Sequence, residues 1–194
     1  FLLTTNIIVV ILFTILFYQS WVHYNNQARV WTQNIAKLLE ISVIDKFDDI
    51  NMCLSSIKYE SERQLRNGNI NADGIASYIE YQRSQLEGVT TLAIANENGD
   101  IKYGLATRQD EKINIADRDY FIRIRDNPDL AFSNSGLLKG RAYGTWDVIL
   151  ARKIQYPNGR FAGVVIAGFD VRYFDNLFSR LDVGKHGAIG IRDT

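Results

Sequence analysis

The N-terminal part of the chain is apolar and uncharged. No Asp, Glu, Lys or Arg occurs among the first 28 residues, and 14 of the first 18 are apolar. A helix needs about 20 such residues to cross the ~30 Å hydrocarbon core of a bilayer, and Tyr18, Trp21 and Tyr24 are typical interfacial anchors. A cleaved signal peptide would have a shorter apolar core and a small-residue cleavage site. The pattern therefore predicts a retained transmembrane helix over residues 1–24, rather than a buried helix of a soluble domain.

Residues 25–68 show the periodicity of a long amphipathic helix. No Pro or Gly interrupts residues 29–66, and apolar side chains recur at steps of mostly three and four. We predict a signalling helix that continues from the membrane span and ends at Asn67-Gly68. Because its apolar stripe is longer than one small sheet can cover, we expect a homodimer. The stripe consists of Ile35, Leu38, Leu39, Ile41, Ile44, Phe47, Ile50, Leu54, Ile57 and Leu65.

The period of the pattern changes to two after Gly88. A second helix is expected to begin at Asn71 or Asp73 and to end at Gly88. Short, glycine-containing turns then separate segments of alternating polarity, which is typical of an antiparallel sheet. The predicted fold class is α+β, with the long helix packed on a sheet of about five to six strands and a globular domain over residues 69–194. The strands are expected at 89–95, 101–105, 131–138, 145–155, 160–170 and from 188, with helices at 117–126, where Asp117 is the N-cap, and at 171–181.

The composition excludes several classes of protein. The chain has 22 basic and 22 acidic residues, and a net charge of zero gives no electrostatic footprint for nucleic acid. His23, Cys53 and His186 lie too far apart in sequence to form a recognisable metal site. Cys53 lies beside the apolar stripe and is expected to be a core residue. We expect no metal, no cofactor and no nucleic-acid partner.

No sequence motif for catalysis is found in the chain. It lacks the Gly-x-Ser-x-Gly nucleophile elbow, the Gly-rich phosphate loop and the dinucleotide-binding Gly-x-Gly-x-x-Gly. We expect no catalytic residue in this segment. Phe1 is not a start methionine and a strand is expected to continue at Thr194, so we interpret the chain as a piece of a longer polypeptide. Whether that polypeptide is an enzyme depends on its remaining part.

A set of short strings occurs in a fixed order along the second half of the chain. They are Asp117-Arg118-Asp119-Tyr120-Phe121, Asn127-Pro128-Asp129, residues 148–154, residues 159–165, Asp170, Tyr173-Phe174 and Leu181-Asp182-Val183-Gly184. These strings resemble the Cache sensor domains, and more narrowly the double-Cache, PAS-like type of bacterial membrane signalling proteins. The order of elements agrees over residues 29–194.

The resemblance implies a role in signal transduction. It implies a periplasmic domain that binds a small-molecule ligand, is anchored in the bacterial inner membrane and controls a cytoplasmic diguanylate cyclase. The alternatives are the sensor of a histidine kinase or chemoreceptor, or a ligand-free structural dimerisation module. Ile124 stands where many relatives have His, and Tyr120-Phe121 stands where amino-acid-binding members have Trp-Tyr. The second departure argues against amino acids as ligands.

Arg152 is the clearest candidate for a ligand contact from the residues alone. It lies in the middle of a predicted strand between Leu150 and Ile154, and a buried arginine must be paired with a carboxylate or a ligand anion. Asp170, at the end of the apolar strand 160–170, is a candidate partner. The alternative is a structural ion pair that closes the sheet.

The other candidates lie on the short helix and on a glycine-flanked loop. Arg118 and Arg125 are seven residues apart and share a face of the predicted helix 117–126, which could point into a pocket or into water. The loop at residues 137–144 carries arginine and tyrosine, which suits capture of a small carboxylate or a flat ligand but also suits an ordinary hairpin tip. The complete set of predicted ligand-binding residues is Arg118, Tyr120, Arg125, Arg141, Tyr143, Trp146, Arg152 and Asp170.

Overall fold

The computed structural model describes residues 2–104, 113–179 and 188–190, and the chain divides into two compact units, residues 1–48 and 49–194. The first unit consists of the N-terminal part of helix α1, which covers Leu2–Arg66. Within the described residues, one helix is long and apolar enough to cross a membrane, with a mean hydropathy of 1.8 over an 18-residue window that is not buried. Hydroxyl groups there bond within the helix, as Thr14 Oγ1 donates to the Val10 carbonyl at 2.8 Å.

The second unit contains a five-stranded antiparallel sheet in the order β2-β1-β5-β4-β3. The predicted α+β class, with a long N-terminal helix and a sheet of five strands, is confirmed. After α1, the elements are α2 Ala72–Ser84, β1 Val89–Asn96, β2 Ile101–Tyr103, α3 Asp119–Asp126, β3 Phe132–Lys139, β4 Trp146–Gln155, β5 Phe161–Asp170 and α4 Arg172–Phe178.

Strand β5 is the centre of the sheet. It pairs with β1 on one side and β4 on the other, and its residues from Ala162 to Asp170 are all buried. Such a strand is covered on both faces, which explains why its sequence is apolar without alternation. Gly163 adopts a φ of +140°, and a Cβ there would lie 2.0 Å from the Ala95 carbonyl oxygen. Only glycine fits at this crossing of β5 and β1.

The two faces of the sheet carry different helices. Helix α3 packs on the face formed by alternate residues of β1, β5 and β4, and Phe121 and Ile124 are fully buried there. On β4, residues that alternate with this set point to the opposite face. That face meets the C-terminal part of α1, because Asn51 accepts a hydrogen bond from Arg152 and Glu62 accepts one from the Gln155 amide.

Several predicted element ends differ from the structure. The N-cap position of α3 is Arg118, whose side chain makes no capping hydrogen bond, rather than Asp117. The Asp117 carboxylate is bonded to Arg141 instead. Helix α2 ends at Ser84 rather than Gly88, and the Gly88 carbonyl accepts a hydrogen bond from the Asp170 amide at the end of the β1–β5 pair. Residues 188–190 do not form the predicted strand. Three predicted positions lie outside the described residues: the end of the strand 101–105, the end of the helix 171–181, and residues 191–194.

Candidate ligand-binding site

Helix α3 is fixed to the sheet at both of its ends. At the C-terminal end, the buried Lys153 donates from Nζ to the carbonyls of Asn127, at 2.6 Å, and Pro128, at 3.0 Å. Burial lowers the pKa of this ammonium group. Near the N-terminal end, Arg118 Nη2 donates to the Lys139 carbonyl of β3 at 3.1 Å. The helix therefore holds Tyr120, which is almost fully buried, in a constant place above the sheet.

A small cavity lies beside the start of α3, between this helix, the sheet and the loop after β3. Its volume is about 30 Å³, which is room for about one water molecule. An organic ligand would therefore need the lining to move. The lining consists of Thr91, Ile101, Ile113, Ile115, Arg118, Tyr120, Leu138, Gly140, Arg141, Ala142, Asp147, Ile149 and Ile166.

Asp147 is the acidic side chain that lines this cavity. It is only 1% exposed, and its Oδ2 accepts hydrogen bonds from the hydroxyls of Thr145, at 3.0 Å, and Thr90, at 3.4 Å. Its Oδ1 has no hydrogen-bond partner in the described part of the chain. Burial raises the pKa of Asp147, the Thr145 hydrogen bond lowers it, and the charge of Asp170 raises it. Among the described residues, no cation donates a hydrogen bond to this carboxylate, and the charge of Arg172 lowers its pKa only as the smallest of these effects.

Residues Gly140–Thr145 form a tight turn over the Asp147 carboxylate, hereafter the 140–145 turn. The Gly140 amide donates to the Thr145 carbonyl at 2.8 Å, and the Gly144 amide donates to the Gly140 carbonyl at 3.0 Å. A Cβ on Gly140 would lie 2.5 Å from Asp147 Oδ2. Glycine at position 140 therefore lets the backbone of the turn rest directly on the carboxylate.

Arg141 connects this turn to the segment before α3. Its guanidinium group makes two parallel hydrogen bonds to the Asp117 carboxylate, of 2.7 and 2.6 Å, and a further one to the Asn114 carbonyl. The hydrogen bonds from Arg141 lower the pKa of Asp117 to about 2. The ion pair is partly exposed, so it joins two segments at the surface above the cavity.

The structure brings together three of the eight predicted ligand residues. Arg118, Tyr120 and Arg141 all line the cavity. Tyr143 and Trp146 are half exposed and do not line it. The remaining three bond to other residues of the protein, outside the cavity lining: Arg125 to its neighbour Asp126 at 2.7 Å, Arg152 to Asn51 and Asp170 to Arg172.

The expected pair between Arg152 and Asp170 does not form. Arg152 Nη2 donates to Asn51 Oδ1 of α1 at 2.6 Å, and its guanidinium carbon lies 5.7 Å from the centre of the Phe132 ring. Its buried Nε has no hydrogen-bond partner among the described residues. Asp170 instead pairs with Arg172 at 2.6 Å. The reason is strand alternation. Asp170 is the register partner of Asp147, so the two share a face of the sheet, whereas Arg152 is an odd number of positions from Asp147 and points to the other face.

Sequence reasoning missed Asp147, which is the most buried charged residue of the site. The signal was available in the alternation of β4, where Asp147 shares a face with Ile149 and Ala151. A carboxylate on the apolar face of a strand is as unusual as an arginine in its middle.

The sequence matches no protein-family model and no curated protein. Solved structures are similar in fold. The extracellular domain of rpHK1S-Z16, classed as a histidine kinase, has a TM-score of 0.65 and 21% identity over 74% of this chain and 57% of that chain. The extracellular ligand binding receptor from Desulfohalobium retbaense has a TM-score of 0.60 and 16% identity over 72% of this chain and 25% of that one.

A third similar structure is the ligand-binding domain of the Campylobacter jejuni chemoreceptor Tlp3 in complex with 4-methylisoleucine. It has a TM-score of 0.50 and 14% identity, over 70% of this chain and 57% of that chain. The chain thus spans between 25% and 57% of the length of these structures. The likeness concerns the fold: the chain has the fold of the extracellular sensor domains of histidine kinases and chemoreceptors, as expected for a Cache-type sensor domain.

Proposed function

We propose that the chain is the extracytoplasmic ligand-sensing part of a signal-transduction protein anchored in the bacterial inner membrane. Two observations support this function. The fold of the second unit is that of extracellular sensor domains, and α1 is long and apolar enough to cross a membrane. No Lys or Arg occurs between Tyr18 and Ala28, which favours an extracytoplasmic location for the residues after the span, since cytoplasmic flanks are rich in Lys and Arg.

The observation that carries the ligand proposal is the buried Asp147 carboxylate, whose Oδ1 has no hydrogen-bond partner and which no cation contacts by a hydrogen bond among the described residues. The arginines that line the cavity already have acceptors, because Arg141 bonds Asp117 and Arg118 bonds the Lys139 carbonyl. A ligand with an ammonium group would supply the missing cation to Asp147. The Tlp3 domain binds 4-methylisoleucine and L-norvaline, each of which carries such a group. We therefore propose a small amine as the ligand class.

Binding of this ligand would change the local structure. The cavity of about 30 Å³ is too small for an organic amine, so ligand binding selects a form in which the 140–145 turn has moved. Strand β4 carries Asp147 near one end and contacts α1 through Arg152 and Gln155. A shift of β4 would reach α1 through these two contacts, and α1 would pass it on within a homodimer.

The ligand proposal is tested by thermal unfolding with a panel of small amines, including ethanolamine, agmatine, histamine and the L-amino acids. A ligand at a hundred times its dissociation constant adds about 2.7 kcal/mol to stability. That is a rise in Tm of about 10 °C for a domain of this size. Asp147→Asn should remove the shift, and Asp126→Asn, which neutralises an exposed carboxylate, should preserve it. A shift that survives Asp147→Asn would refute this site. Absence of any shift would favour the ligand-free dimerisation module.

For the output of the protein, we propose control of a diguanylate cyclase, with a histidine kinase or chemoreceptor as the second candidate. The first rests on the sequence resemblance, and the second is favoured by similar structures that are named for a histidine kinase and a chemoreceptor. Assays of cyclic di-GMP synthesis and of histidine autophosphorylation by the natural membrane-bound protein distinguish the two.

A further inference from the structure

We propose that the ion pair between Arg141 and Asp117 is the gate of the Asp147 cavity. In this proposal, the pair holds the 140–145 turn closed over the carboxylate, and the ligand enters when the pair opens. The inference rests on the proposed function in that it takes the cavity as the ligand site. It adds the residues that control access to that site.

The turn is the part of the cavity wall that covers the Asp147 carboxylate most closely. Gly140 touches the carboxylate so tightly that no Cβ fits between them, and the Thr145 hydroxyl donates to Asp147 Oδ2. Displacement of the turn would therefore uncover Oδ2, which would keep only the 3.4 Å contact with the Thr90 hydroxyl. An opening elsewhere in the lining would leave Oδ2 covered.

The two partners of the ion pair belong to segments of different rigidity. Asp117 comes after a segment that is fixed to the β1–β2 hairpin, because the Ile115 amide donates to the Gly99 carbonyl at 2.8 Å and the Ile113 carbonyl accepts from the Ile101 amide at 3.0 Å. Arg141 lies in a turn bounded by Gly140 and Gly144, and Gly144 has a φ of +68°. Glycines at both ends allow the turn to move as a unit. The fixed Asp117 thus holds a movable Arg141.

The strength of the contact suits a gate. Its bidentate geometry selects one closed position, yet both side chains are partly exposed, with 37% of the Arg141 and 67% of the Asp117 surface accessible. Ion pairs exposed to water are weak and are screened by salt. The equilibrium ratio of the closed to the open form is therefore small, and ligand binding can reverse it.

The gate can be tested without any ligand, by measuring how fast a thiol in the cavity reacts with methyl methanethiosulfonate. Thr91 lines the cavity and is close to cysteine in size, so Thr91→Cys places the probe. Cys53, which is buried outside the cavity lining, is the internal reference for larger unfolding. Mass spectrometry of the quenched protein reports the two thiols separately.

Adding Asp117→Asn should increase the reaction rate of the probe at position 91 by about two- to fivefold, in proportion to the modest strength of such pairs. The rate at Cys53 should not change. Sodium chloride at high concentration should increase the reaction rate of the thiol at position 91 in the Thr91→Cys protein, but not in the protein that also carries Asp117→Asn. The matched control is Glu80→Gln, because Glu80 and Arg83 form a bidentate exposed pair of 2.6 and 3.0 Å in α2. This control should leave both rates unchanged.

Three results would overturn the gate: no acceleration by Asp117→Asn, an equal acceleration by Glu80→Gln, or an equal rise at Cys53. If Thr91→Cys does not fold, hydrogen exchange of the Gly140 and Gly144 amides in the otherwise natural chain replaces the thiol probe. Both amides should exchange faster in Asp117→Asn, and unchanged protection would refute the proposal. Failure of the amine panel would refute the ligand class without affecting these rates, so the two proposals fail separately.

Discussion

Asp147→Asn should stabilise the protein at neutral pH while removing its ligand response. The carboxylate is 1% exposed and its Oδ1 has no partner in the described part of the chain. A buried polar group without its hydrogen bond costs about 1 to 3 kcal/mol, and a charged one more. Asparagine has the same shape, keeps an acceptor for the Thr145 and Thr90 hydroxyls, and carries no charge. The Nδ2 amide group takes the place of Oδ1 and has no described acceptor, so only the cost of the charge is removed. We therefore expect a gain of about 1 kcal/mol in the free energy of unfolding.

The same variant should change the pH dependence of stability. Burial, and secondarily the charge of Asp170, raise the pKa of Asp147 in the folded protein, whereas in the unfolded chain it is about 3.9. The folded state then holds the proton more tightly, so ionised Asp147 destabilises it above its folded pKa. This penalty disappears as the pH falls towards about 3.9. The advantage of Asp147→Asn over the natural chain should therefore be largest at neutral pH and shrink on acidification.

The measurement is urea unfolding in detergent, followed by near-ultraviolet circular dichroism, at a series of pH values between 4 and 8. Asp126→Asn is the matched control, because the same chemical change is made at an exposed residue whose pKa is lowered by its hydrogen bond to Arg125. Its stability difference from the natural chain should have the opposite sign in its pH dependence. If Asp147→Asn is less stable than the natural chain at pH 7, the carboxylate is already satisfied and the ligand argument fails.

Three further changes test other parts of the structure. Ile44→Glu should reduce dimerisation in detergent, measured by cross-linking, whereas Ser42→Glu, about 160° from Ile44 around the helix, should not. An unchanged dimer fraction would contradict a helix interface. Arg152→Met should lower the free energy of unfolding by about 1 to 2 kcal/mol, because it removes the hydrogen bond to α1, but should keep the amine-induced rise in Tm. Loss of that rise would show that Arg152 belongs to the ligand site. Removing residues 1–28 should give a protein that is soluble without detergent and melts cooperatively in calorimetry, and a non-cooperative melt would contradict the anchor.

The elements of the fold could be predicted because their signals are local. Each signal lies within a single helix or strand and reflects the surroundings of that element alone. Examples are the uncharged stretch before Arg29, the glycine-free repeat to Arg66 and the apolar run of β5. The predicted ends were less accurate where a tertiary contact decides them. Asp117 is a good N-cap by residue type, but its carboxylate is bonded to Arg141, which is 24 residues later in the chain.

The candidate site was predicted only in part, because a site depends on which face each side chain takes. Arg118, Tyr120 and Arg141 were identified by residue type and lie at the cavity. Arg152 was identified by the same reasoning and lies on the other face, where Asn51 accepts its hydrogen bond. Nothing in the sequence near Arg152 shows that a helix about 100 residues earlier supplies its partner. A buried polar residue therefore indicates a partner, and only the fold says whether the partner is a ligand.

Strand β4 combines the two sides of the proposed mechanism. Asp147 and Ile149 on one face border the cavity, and Arg152 on the other face holds α1. Five residues of strand, about 17 Å at 3.3 Å per residue, separate Asp147 from Arg152. The strand is paired with β5 along this length, and with β3 except at a bulge between Asn134 and Leu137. A ligand that pulls on Asp147 either displaces β4 against α1 or leaves α1 where it is. Arg152→Met removes one of the two described hydrogen bonds between β4 and α1 without touching the cavity, and the Gln155 amide keeps the other.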